Sequence, residues 1–146
     1  MKKISKSKAE TKKIAKMFLA KILKKGIRGQ DALVVGLKGD LGTGKTIFTQ
    51  AVAKYLGIKN KIRSPTFVVI KKYPIKLKKY KFLFHIDAYR LKNEKELLHL
   101  GWKEIINNKE HLVFIEWPEN VTKVVPSNAK FVHISHTKTG HRNFKF

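Results

Sequence analysis

An apolar run, Ala32 to Leu37, opens into Gly39-Asp40-Leu41-Gly42-Thr43-Gly44-Lys45-Thr46, and a helical pattern follows at once. A strand that must turn within a few residues into a helix leaves few folds open. The turn also fits the phosphate-binding pattern G-x-x-x-x-G-K-[ST]. In that setting the glycines let backbone N–H groups turn towards an anion, Lys45 reaches the β and γ oxygens of a nucleotide, and Thr46 can offer its hydroxyl to magnesium. The helix behind the turn aims its positive end at the same anion. A glycine-rich turn without a ligand is the bland alternative, and the flanking strand and helix patterns argue against it.

The helix is written in Phe48, Ala51, Val52, Tyr55 and Leu56, spaced by three and four residues, with Gly57 placed to cap it. Upstream, residues 2 to 25 carry ten Lys and one acid, with Ile14, Ala15, Phe18, Leu19 and Ile22 at helical spacing. This predicts one amphipathic helix with a solvated basic face. The expected fold is an α/β phosphate-loop fold: a mostly parallel central sheet flanked by helices, with an antiparallel hairpin added.

At 146 residues the chain has room for a single domain, 1–146, with a real core. Lacking cysteine, it forms no disulfide, thiolate metal site or cysteine nucleophile. Lysines interrupt the apolar run near the N-terminus, which predicts neither a signal peptide nor a membrane span, and a cytoplasmic protein. The formal charge of +23 comes from 29 Lys against 4 Arg. Nucleic-acid readers lean on Arg for bidentate contacts, so this excess fits an AT-rich genome as well as RNA binding. Either way the surface attracts polyanions at low salt.

Beyond the first helix, Arg63-Ser64-Pro65-Thr66-Phe67 enters Val68-Val69-Ile70 as an extended piece, since Pro65 keeps Ser64 out of the helical region. Residues 71 to 81 hold six Lys and no acid. They predict a hairpin (Phe67 to Tyr73, Tyr80 to Ile86) with an exposed basic tip that either protects an edge or faces RNA. Asn93 and Glu96 suggest a capping box, with Leu97, Leu98 and Leu100 on the buried side of a short helix ending at Gly101. A second short helix is expected over Trp102 to Asn107, strands over Leu112 to Ile115 and Phe131 to Ser135, and then a polar tail with His136, His141 and Arg142.

A phosphate loop needs a carboxylate that helps to hold magnesium and a group that orients the attacking water. In open α/β sheets such groups sit at the C-terminal ends of strands. Asp87 and Glu116 fit, each delivered by an apolar run, and the residues alone do not say which acid touches the metal. His85 shares a strand face with Asp87 and reads as a hydrogen-bonded structural histidine. His133, His136 and His141 lack companions at ligand spacing, so no protein-only metal site is expected. No Asn-Lys-x-Asp guanine-reading motif occurs, and the four arginines are too scattered for a kinase lid. ATP hydrolysis therefore leads over a small-molecule kinase, with a basic RNA-binding module holding structural ATP as the alternative from another class.

Four blocks in series resemble the TsaE (YjeE) family of ATPases that support threonylcarbamoyladenosine modification of tRNA. They are the loop itself, Ser64 to Phe67, His85-Ile86-Asp87-Ala88-Tyr89-Arg90-Leu91, and Ile115-Glu116-Trp117-Pro118-Glu119. The resemblance implies ATP and Mg2+ as cofactors and an accessory role beside TsaD and TsaB, with tRNA met through that complex and at most weakly by the Lys-rich surface. By position it implies that Lys45 and the loop amides bind phosphates, that Thr46 with Glu116 holds magnesium, and that Asp87 and Thr66 lie near the γ-phosphate, Asp87 positioning water. It further implies that Thr11, Arg142 and Trp117 approach the nucleotide. The Lys content and a chain ending soon after Arg142 depart from the family pattern, which bears on the Arg142 contact.

Overall fold

Strands β2 (Leu33–Lys38) and β5 (His111–Glu116) are nearly continuous apolar runs, and such strands need cover on both faces. The computed structural model describes residues 1–25, 30–40, 42–59 and 69–146, and it sets β2 in mid-sheet. There β2 pairs in parallel with β5 on one side and with β6 (Lys130–His136) on the other. Strand β4 (Phe82–Asp87) extends the parallel part beyond β5. Antiparallel strands close both edges: β3 (Ile70–Pro74) on β4, and β7 (Arg142–Lys145) on β6 with β1 (Lys2–Ser5) outermost. The order is β1-β7-β6-β2-β5-β4-β3. The expected mostly parallel sheet is thus a mixed one, because antiparallel pairing occurs at both edges and not only at the β3–β4 hairpin.

Alternation along the strands divides the core into two layers. Leu33, Val35, Leu37, Leu83, Leu112 and Phe114 pack with helices α1 (Lys8–Lys25) and α2 (Lys45–Tyr55). Val34, Phe84, Ile86, Val113 and Ile115 pack instead with α3 (Glu94–His99), α4 (Trp102–Ile106) and the 3-10 segment Pro118–Val124. Phe48 of α2 is fully buried, its ring centroid 5.8 Å from those of Phe18 and Phe144. Burying such a ring contributes about 1.5–3 kcal/mol, which anchors the helix behind the glycine loop to both α1 and β7.

All five α1 residues picked by spacing are buried, yet residues 2–5 do not join that helix. They form a short, Lys-rich edge strand with only Ser5 buried, and charge there hides the period of two. Residues 142–145, expected as part of a polar tail, form β7, which gives β1 its partner. Leu98 and Leu100 are exposed, and only Leu97 of that trio enters the core, since α3 is a single short turn and a half with one inward side. Tyr55 is likewise exposed at the end of α2. Asn93 caps α3 as read, accepting from Lys95 N and Glu96 N, while Glu96 accepts from Lys92 N instead of closing the box on Asn93.

The basic hairpin tip is present, with Lys76, Lys78 and Lys79 exposed over buried Ile75 and Tyr80. Gly57, at φ +82°, closes α2 by donating to Lys54 O while Ile58 N donates to Ala53 O. Among the described residues no helix is long and apolar enough to cross a membrane. Thr66 and the rest of Ser64 to Phe67, together with Leu41, lie outside the described residues.

Candidate active site

Strand β2 ends at Lys38, and the chain turns through the loop into α2. Gly39 has φ +152°, and a Cβ there would lie 2.4 Å from the Ile134 carbonyl oxygen, so the turn admits no side chain. Thr43 Oγ1 donates to Asp40 O at 2.9 Å, which tightens the loop from within. Gly44, at φ +104°, is the N-cap of α2 and supplies no side-chain acceptor to the first N–H groups of the helix. Those donors and the helix dipole make the loop an anion cradle.

Lys45 is buried at the base of this cradle. Its Nζ donates to Gly39 O and, at 3.1 Å, to Asp40 O, and it stands 4.1 Å above the centre of the Trp117 ring. Burial lowers its pKa below the ordinary lysine value, and the negative charges of Glu116, Glu119, Asp87 and Asp40 act against that shift. The ammonium therefore sits within the field of both acids expected from the sequence.

Those acids meet because β4 and β5 run in parallel with Asp87 opposite Glu116. The pairing of Leu37 with Glu116 brings the same point beside the end of β2. Both acids follow the alternation of Leu83, Leu112 and Phe114, so they lie on the α2 side of the sheet. Glu116 is only 3% exposed, and its Oε2 accepts a hydrogen bond from His85 Nε2 at 2.6 Å. Asp87 is half-buried, and its Oδ1 accepts from Tyr89 N at 3.0 Å. The two loops leaving these strands are cross-tied, Ala88 N donating to Glu116 O and Asn120 Nδ2 to Ala88 O.

Trp117 is the one non-glycine residue with positive φ among the described residues, at +59°. A bulky residue in the left-handed region is strained, and here the strain turns its ring towards Lys45 and to 5.0 Å from the Tyr89 ring. Arg142, from β7, donates through Nε to Thr43 O at 3.0 Å and lies against Gly44. Thr11 is buried one step further away. Its hydroxyl bonds to Ser5 Oγ at 2.7 Å and to Ser7 O, and Ser5 is the register partner of Arg142.

The structure thus gathers Lys45, Asp87, Glu116, Trp117 and Arg142 around the loop, and Thr46 lies in the first turn of α2. His136, expected in a polar tail, also reaches the loop, donating from Nε2 to Gly42 O at 3.1 Å. The signal was its place after buried Val132 and Ile134 on one strand face. His133 points the other way and is exposed. Among the described residues no group of three or more His, Asp or Glu side chains is arranged to hold a metal ion alone. The donors at hand, two carboxylates and the Thr46 hydroxyl, are hard oxygen ligands suited to magnesium shared with phosphate oxygens.

By class this is an α/β protein whose sheet gathers an anion cradle and paired carboxylates at the carboxyl ends of its parallel strands. The family model of the threonylcarbamoyl adenosine biosynthesis protein TsaE matches residues 5–144, and the chain belongs to the TsaE family. It is 41% identical over 115 residues to the tRNA threonylcarbamoyladenosine biosynthesis protein TsaE of Rickettsia conorii, covering 77% of this chain and 58% of that relative. The protein of the same name from Bacillus subtilis is 34% identical over 137 residues, 94% of this chain and 78% of its own length. The one from Haemophilus influenzae is 31% identical, covering 85% and 75%. A crystal structure of Bacillus subtilis YdiB superposes with a TM-score of 0.66 at 27% identity, covering 99% of this chain and 82% of that one.

Proposed function

We propose that the chain is a magnesium-dependent P-loop ATPase that supports threonylcarbamoyladenosine modification of tRNA as an accessory subunit acting with TsaD and TsaB. The observation that carries the reading is the convergence of buried Lys45 with Asp87 and Glu116 on neighbouring strand ends beside the loop. Family membership and the names of the relatives support the pathway.

In this reading the loop amides and Lys45 bind the β- and γ-phosphates of ATP. Thr46 and Glu116 hold magnesium, which would neutralise charge building on the phosphate oxygens. Asp87 accepts a proton from the attacking water and orients it. Arg142 and His136 brace the loop through its carbonyls, and Trp117 walls the site while keeping Lys45 pointed inward. Because these donors are already fixed in place, they need not reorganise when charge develops.

The test is ATP turnover with and without TsaD and TsaB from the same cell. Stimulation by the pair supports the reading. Turnover that needs an added small acceptor would replace it with a kinase.

A second reading draws on the exposed Lys76, Lys78 and Lys79 at the hairpin tip, which fit an RNA-facing surface beside a nucleotide that serves structure alone.

A further inference from the structure

His85 is fully buried, on a face it shares with Leu83, Leu112 and Phe114 as well as with Asp87 and Glu116. An aliphatic side chain would pack there without burying a polar ring. Imidazole leaves Nδ1 with no hydrogen-bond partner among the described residues, a cost that packing does not return. What the ring does gain is a bond of 2.6 Å from Nε2 to Glu116 Oε2. The bond reaches along the sheet and not straight across it, since the register partner of His85 is Phe114 and that of Glu116 is Asp87.

We propose that His85 is a positioning residue that fixes the Glu116 carboxylate for a divalent cation. The inference rests on the reading of Glu116 as the magnesium-holding acid. With Oε2 held by His85, Oε1 is the oxygen left for the cation. The same bond competes with Lys45, whose charge Glu116 feels. Among the described residues no ion pair joins the two, and Lys45 donates to the Gly39 and Asp40 carbonyls instead. Without His85 the carboxylate is free to swing onto the ammonium, which would remove a metal donor and engage the phosphate-binding lysine at once. Partners of this kind, which orient a metal-binding group without touching the ion, typically change metal affinity by about 10- to 100-fold.

The experiment follows binding of a fluorescent ADP analogue to the full chain, first in EDTA and then across a Mg2+ titration. His85→Leu removes the donor, while His85→Gln and His85→Asn are matched amides. The Gln amide nitrogen reaches the place of Nε2, and the shorter Asn does not. The expected result is a half-saturating Mg2+ raised about 10-fold or more in the Leu and Asn variants and within about threefold of wild type in the Gln variant, with metal-free affinity lowered in the Leu and Asn variants alone. An unchanged Mg2+ midpoint in the Leu or Asn variant overturns the proposal, and so does equal impairment of Gln and Asn. If wild type binds the analogue identically with and without Mg2+, the assignment of Glu116 itself fails. That outcome is read from wild type alone and is distinct from a failure of His85.

Discussion

Asp87 and Glu116 stand opposite one another at the carboxyl ends of two parallel strands, yet their carboxylates are held differently. Glu116 is buried and takes a side-chain bond from His85, whereas half-buried Asp87 takes a backbone bond from Tyr89. Neighbouring positions with different environments suit different tasks. A buried acid braced by a histidine suits a fixed cation. One nearer solvent suits a water that must enter and be replaced.

Replacing Glu116 by Gln should therefore abolish the Mg2+ dependence of nucleotide binding while leaving metal-free binding within about threefold of wild type, a split on the scale of a lost metal donor. Binding titrations with and without Mg2+ check it. Wild-type Mg2+ dependence in the variant would move the metal to another group.

Lys45→Met should remove nucleotide binding without lowering stability. Burial depresses the lysine pKa, so the unfolded chain binds the proton more tightly than the folded one. Below the depressed value both states are protonated, and the folded state carries the full cost of burying the charge. That cost fades only as the pH rises between the depressed value and the ordinary one. Removing the charge should leave Tm equal or higher, by about 2–4 °C for each kcal/mol recovered. Calorimetry beside a nucleotide titration reads both effects.

Arg142→Ala should weaken nucleotide binding by about tenfold, by loosening a loop otherwise held through Thr43 O. Thermal unfolding should change little, because Arg142 is only half-buried, on the second strand from the sheet edge. Isothermal titration and a melting curve separate loop bracing from a general loss of fold.

Neutralising Lys76, Lys78 and Lys79 together should leave ATP turnover intact, since the hairpin tip contributes none of the residues placed around the loop. If the tip also meets RNA, salt-sensitive tRNA binding by the isolated chain should weaken, with a salt slope reduced by up to about one unit per lost phosphate contact. Unchanged tRNA binding in the triple variant would remove the RNA-facing reading.

The loop was legible because its glycines answer a local stereochemical demand, and Asp87 and Glu116 were legible because apolar runs deliver them to strand ends. Their adjacency was not, since it depends on β4 choosing β5 as its neighbour. Contacts made across long separations were hidden for the same reason: His85 with Glu116 spans 31 positions and Arg142 with Thr43 spans 99. Strand β1 escaped because a short Lys-rich edge carries little alternation, and β7 because its four residues hold a single apolar side chain, Phe144; their pairing stabilises what neither sequence suggests alone. The exposure of Leu98 and Leu100 shows that apolar spacing in a helix this short does not fix which side is buried.

The most direct measurement is ATP turnover by the chain in the presence of TsaD and TsaB, wild type beside Asp87→Ala. The account predicts Mg2+-dependent turnover by wild type and a loss of at least about tenfold in the variant with nucleotide binding retained. Turnover by Asp87→Ala equal to wild type would contradict it.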